Sequence, residues 1–124
     1  MKIYKNKLFA RFARDERITD AQLCEAIDRA ERGLVDADLG GGVIKQRVAR
    51  PGAGRSGGFR TIIFFRSGER AFSVFGFAKS DQANISPKDL AILKRTAHET
   101  LAFTPDEIRD LVKAQELLEV NCDD

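Results

Sequence analysis

Lys45 and Arg47 stand two residues apart, so in any strand they point to one face. Arg60 opens the next strand-like segment and Lys79 follows the one after, which lets a meander bring all four to one end of a sheet. Eight Lys/Arg residues fall between Ile44 and Lys79 against a single acid, Glu69, in a chain whose formal net charge is +2. Cations gathered without partners repel by about 1 kcal/mol per close pair in high dielectric. A bound phosphate offsets that repulsion, and neighbouring positive charge favours the neutral form of an amine, which suits a proton shuttle. The chemistry expected is therefore polyanion binding on a basic sheet, with nucleic acid as the ligand. Taken alone, Lys45 and Arg47 fit equally the solvated lysines and arginines that blunt a sheet edge.

Other motifs carry less. Gly52-x-Gly54-x-x-Gly57 spells a dinucleotide fingerprint, but a strand follows where a helix is required, and the Lys-Ser/Thr of a phosphate loop is missing. It reads as a hairpin loop whose amides, with Arg55, are candidates to hold a phosphate. His98 falls mid-helix beside Glu99, and Tyr4 reads as a packing residue of a first strand. No Ser-His-Asp or Cys-His set and no pair of catalytic carboxylates is apparent, which leaves Lys, Arg or water for acid–base work. Phe72, Phe75 and Phe77 fit core packing, with Phe77, next to Ala78-Lys79, the candidate for stacking on a base.

The elements that must position these residues follow from periodicity and caps. Residues 2–5 read as a strand and Lys7 to Arg17 as a short helix with Leu8, Phe9 and Phe12 on one side. Thr19 and Gln22 form a capping box before Leu23, Ala26, Ile27 and Ala30, and Gly33 ends that helix. Residues 34–42 read as a turn-rich connector. Strands are expected from Val43 to Arg50, Phe59 to Arg66 and Arg70 to Phe77, with turns at 51–58 and 67–69. Ser86-Pro87 and Thr104-Pro105 each start a helix. The order is β, α, α, β, β, β, α, α. It implies an α+β domain spanning residues 1–124, with the helices on one face of an antiparallel sheet.

At 124 residues and 43% hydrophobic content the chain fits one domain with a real core. Cys24 and Cys122 lie far apart and form no CxxC pair, so both read as free thiols of a reducing compartment; a zinc site or other metal centre is not expected. No apolar leader and no run of about 18 apolar residues occurs, so a cytoplasmic protein with no membrane partner is expected. The acidic tail around Glu116, Glu119, Asp123 and Asp124 reads as solvated, or as a cover for the basic face.

The runs "VDADLGGGVIKQRVARPGAGRSGGFRTIIFF" and "FSVFGFAKSDQANIS", preceded by "FARFARDERITDAQLCEAI", resemble RelE-type toxins of type II toxin–antitoxin modules, in the HigB-like branch. The resemblance covers roughly residues 1–102. It implies a RelE/ParE-like fold and an mRNA interferase that enters the ribosomal A site and needs no metal or other cofactor. The 2′-hydroxyl attacks the adjacent phosphate, leaving a 2′,3′-cyclic phosphate and a 5′-hydroxyl end. It also implies a cognate antitoxin, often of helix-turn-helix type. By motif, Lys45 becomes the proton-transfer group, Arg47, Arg60 and Lys79 the phosphate clamps, and Arg50 and Arg55 guides for the RNA backbone. Many RelE relatives close the site with a C-terminal Tyr or His, which "AKSDQANIS" lacks, so a lysine is left to move the proton. ParE-like toxins share the fold and act on gyrase, and a non-catalytic RNA-binding or antitoxin-binding module is a further alternative.

Overall fold

The computed structural model describes residues 1–49, 58–78 and 85–122. In chain order these form β1 (Lys2–Asn6), α1 (Lys7–Glu16), α2 (Asp20–Glu31), β2 (Ala37–Gly40), β3 (Val43–Val48), β4 (Phe59–Arg66), β5 (Arg70–Ala78), α3 (Pro87–Leu101), α4 (Pro105–Lys113) and β6 (Leu117–Glu119). The expected helix starts are realised. Thr19 and Thr104 each close a capping box, with Gln22 and Glu107, and the Ser86 hydroxyl accepts from the Asp89 amide.

One six-stranded sheet runs β2-β3-β4-β5-β1-β6. The expected meander β3-β4-β5 is antiparallel, and β1 pairs parallel with β5. Two strands went unread in the sequence. β2 lies inside the 34–42 connector, and β6 lies in the acidic tail, where it pairs with β1. Both are short edge strands, whose formation depends on a neighbour rather than on their own pattern.

The fold class is the expected α+β, but the helices occupy both sheet faces. On one face α1 and α2 bury Phe9, Ala13, Leu23, Ala26, Ile27 and Ala30 against Ile44, Val48, Phe59 and Ile63. On the other, Ala97, Leu101 and Ile108 from α3 and α4 pack with Val43, Ile62, Phe64 and Phe72. The reason is written in β4, whose residues 61–64 are buried without alternation. A strand that is apolar on both sides demands cover on both sides.

Two glycines are set by close approach. Gly42 has φ +84, and a Cβ there would sit 2.7 Å from Leu101 Cδ1. At Gly76 a Cβ would fall 2.5 Å from the Phe12 ring, which lies over the strand and meets Phe59 edge-on at 5.5 Å.

Cys24 and Cys122 are joined by a disulfide across 98 positions, with Cα atoms 5.7 Å apart. This corrects the reading of two free thiols and removes its support for a reducing compartment. The pairing was hidden because β6 returns the chain to β1, and Val120 then turns onto the α2 side: its amide donates to Ile3 O at 2.8 Å. No helix among the described residues is long and apolar enough to cross a membrane.

Candidate active site

Register places the basic residues. Arg47 of β3 is directly opposite Arg60 of β4, and Arg60 is opposite Phe77 of β5. One row further along, Lys45 faces Ile62, which faces Phe75. Lys45, Arg47, Arg60, Phe75 and Phe77 therefore share a face. Rows two residues apart are separated by about 7 Å, and neighbouring strands by about 5 Å. The third row, Val43, Phe64 and Phe72, lies under α3 and α4.

The described cations of the basic stretch sort to two ends. Arg66 Nη1 donates to Leu101 O at 3.0 Å and Arg70 Nη1 to Phe103 O at 2.5 Å. These two satisfy carbonyls at and just beyond the end of α3, where positive charge is favoured. Lys45 and Arg60, at the other end, make no side-chain hydrogen bond or ion pair among the described residues. The Arg60 Nη1 atom is buried with no hydrogen-bond partner. A buried donor left so costs about 1–3 kcal/mol, and a like charge directly opposite adds to that. Lys79, Arg50 and Arg55 lie outside the described residues, as does the Gly52–Gly57 motif.

β3 is held in place from behind. Gln46 is fully buried on the opposite face; its Nε2 donates to Ala26 O at 2.9 Å and Leu34 O at 3.1 Å, and its Oε1 accepts from the Asp36 amide at 2.9 Å. Arg29 Nη2 donates to Arg47 O at 2.5 Å, and Gln22 Nε2 to Ala49 O at 3.2 Å. Asp36 accepts from the Arg47 amide at 2.6 Å and lies 3.9 Å from Arg29. That carboxylate serves the backbone and Arg29. Sequence reasoning missed Arg29, Asp36 and Gln46. Only Gln46 gave a signal, as a polar residue in step with Ile44 and Val48.

The aromatic residues are arranged by a bulge. Ile62 pairs with Phe75 and Ile63 with Ser73, leaving Val74 as the extra residue. The bulge brings Phe72 to the same face as Phe75 and Phe77, which strict alternation would not. Phe77 is 8% exposed and buried in the second core, whereas Phe75 is 40% exposed, with the two rings 6.0 Å apart. Phe75 also lines an apolar pocket of about 260 Å³ with Ile62 and the first turns of α3. Among the described residues, no three His, Cys, Asp or Glu cluster as the ligands of a metal would.

Paired N-terminal helices, an antiparallel meander flanked by a parallel first strand, and a second helix pair across the sheet define a RelE-like α+β protein. The family model described as "RelE toxin of RelE / RelB toxin-antitoxin system" matches residues 1–120, and the chain belongs to that family. It is thus the toxin of a toxin–antitoxin system, with a cognate antitoxin as its partner. No curated protein matches the chain.

Proposed function

We propose that this toxin is a HigB-like mRNA endoribonuclease that acts in the cytoplasm, in the ribosomal A site, and cleaves without a metal. The observation that carries the reading is the Lys45, Arg47 and Arg60 cluster on one sheet face, with Arg60 Nη1 buried and lacking a partner. A scissile phosphate supplies the acceptor oxygens that this donor lacks and the negative charge that the cluster favours. The 2′-oxygen forms a bond to phosphorus as the bond to the 5′-oxygen breaks, giving a 2′,3′-cyclic phosphate and a 5′-hydroxyl. The proton leaving the 2′-hydroxyl and the proton reaching the 5′-oxygen pass through Lys45 Nζ and solvent water. Arg47 and Arg60 bear on the charge that builds on the phosphoryl oxygens. Lys79 joins them as a clamp, and Arg50 and Arg55 guide the backbone, by their places in the sequence. For base stacking, the open ring is Phe75 rather than Phe77.

The antitoxin of such a toxin is of helix-turn-helix type. The test is cleavage of a translated mRNA on ribosomes by the purified toxin. Lys45→Ala should lower the rate by about 10²–10⁴-fold and Arg60→Ala by about 10²–10³-fold. Full cleavage by both variants would show that the site is elsewhere.

A further inference from the structure

We propose that Cys24–Cys122 is a thiol–disulfide exchange site, at which a small dithiol reductant releases the C-terminal strand from α2. Besides the β1–β6 ladder, the exposed Lys2–Glu119 ion pair at 3.4 Å and the burial of Leu117 and Val120, further ties just past β6 hold residues 120–122 to the body. The Val120 amide donates to Ile3 O at 2.8 Å, the Asn121 amide donates to the Asp20 carboxylate at 3.1 Å, and Cys122 is bonded to Cys24. Of these ties, the last is covalent. β6 itself is three residues long, with Leu117 buried and Leu118 and Glu119 exposed. So short an edge strand returns little against the entropy of ordering it. Opening the disulfide therefore leaves residues 117–122 held by non-covalent ties alone.

The bond is open to attack. Cys122 is exposed and Cys24 half-buried. Two surface clefts, of about 440 and 510 Å³, both reach Cys122 and share Met1 and Ile3 in their walls; the larger also reaches Cys24. A thiolate of the reductant attacks Cys122 Sγ. The S–S bond breaks with its electron pair on Cys24 Sγ, and a mixed disulfide forms at Cys122. The second thiolate of the reductant then attacks the reductant's own sulfur in that mixed disulfide. Cys122 leaves as a thiolate and the reductant closes to a disulfide. Two electrons pass from dithiol to cystine, and the two protons that the dithiol loses end on Cys24 and Cys122.

The release reaches the candidate site through α2. Cys24 lies between Gln22, which holds Ala49 O, and Ala26, which receives Gln46. Asp20, at the start of the same helix, binds both Asn121 and Lys5. Redox state thus sets how firmly the first turns of α2 are pinned, while Leu23, Ala26, Ile27 and Ala30 keep the helix itself in the core. The proposal needs the disulfide and not the nuclease, so either can fail alone.

Hydrogen exchange on the whole chain, air-oxidised or treated with dithiothreitol, tests it, with alkylation counting the thiols. Oxidised protein should show no free thiol and reduced protein two. Reduction should speed exchange at 117–121 at least tenfold, raise it about two- to fivefold where Asp36 meets Arg47, and leave α3 unchanged. Cys122→Ser should give the reduced pattern without reductant. The proposal is overturned by free thiols in the oxidised protein, by a bond that dithiothreitol does not open, or by unchanged protection on opening it. Loss of protection throughout the chain would overturn it too, since the bond would then staple the whole fold rather than clasp its end.

Discussion

At the scale of single residues, function and stability are expected to pull apart at Arg60. Its buried Nη1 has no partner, and Arg47 stands opposite it. Arg60→Met keeps the stem and removes both penalties. It should stabilise the fold by about 1 kcal/mol, a rise of roughly 3–6 °C in melting temperature, while cutting cleavage at least 100-fold. A thermal scan beside a cleavage assay reads both. A loss of stability would mean that the guanidinium serves the fold. Ser73 is the control: its buried hydroxyl is also unpartnered, but it faces the first core, away from the site. Ser73→Ala should leave cleavage unchanged and stability unchanged or slightly higher. Gln46 is the opposite case. Gln46→Leu orphans the Asp36 amide and two carbonyls and should cost about 2–4 kcal/mol in denaturant unfolding.

Among the elements, α2 is the one on which the site depends, because Gln22, Ala26 and Arg29 all bond to β3 or its flank. Thr19→Ala opens its capping box and should cost about 1 kcal/mol, measured by urea titration. Gly76→Ala, which pushes a methyl group into the Phe12 ring, should cost about 1–3 kcal/mol. How much was legible divides along physical lines. Caps and period-two strands are local signals, and Thr19, Ser86, Thr104 and the β3-β4-β5 meander were read from them. The alternation of Lys45 and Arg47, with Arg60 at the head of the next strand, is a local pattern that places these three cations on one face. What stayed hidden was non-local: β2 and β6, which exist through their neighbours, the bulge at Val74, and the struts from Arg29 and Asp36. The helices on the second face left a trace in the unbroken apolar run of β4.

Over the whole molecule, the disulfide joins α2 to the segment just past β6. Its two ends were invisible as a pair because 98 residues separate them and no local motif marks either. The sheet also shapes the charge pattern. Arg66 and Arg70 are spent on carbonyls around the end of α3, so only part of the basic stretch faces a ligand. Binding of RNA should nonetheless weaken steeply with salt, by about 0.7 in log–log slope for each phosphate held on a single strand. On the proposed function, the Lys45–Arg47–Arg60 face cuts messenger RNA. Mapping RNA 5′ ends in cells after induction tests it most directly. The wild type should produce new 5′-hydroxyl ends within translated frames, and Lys45→Ala and Arg60→Ala should lose them. Growth arrest with intact messenger RNA, or unchanged ends from both variants, would contradict it.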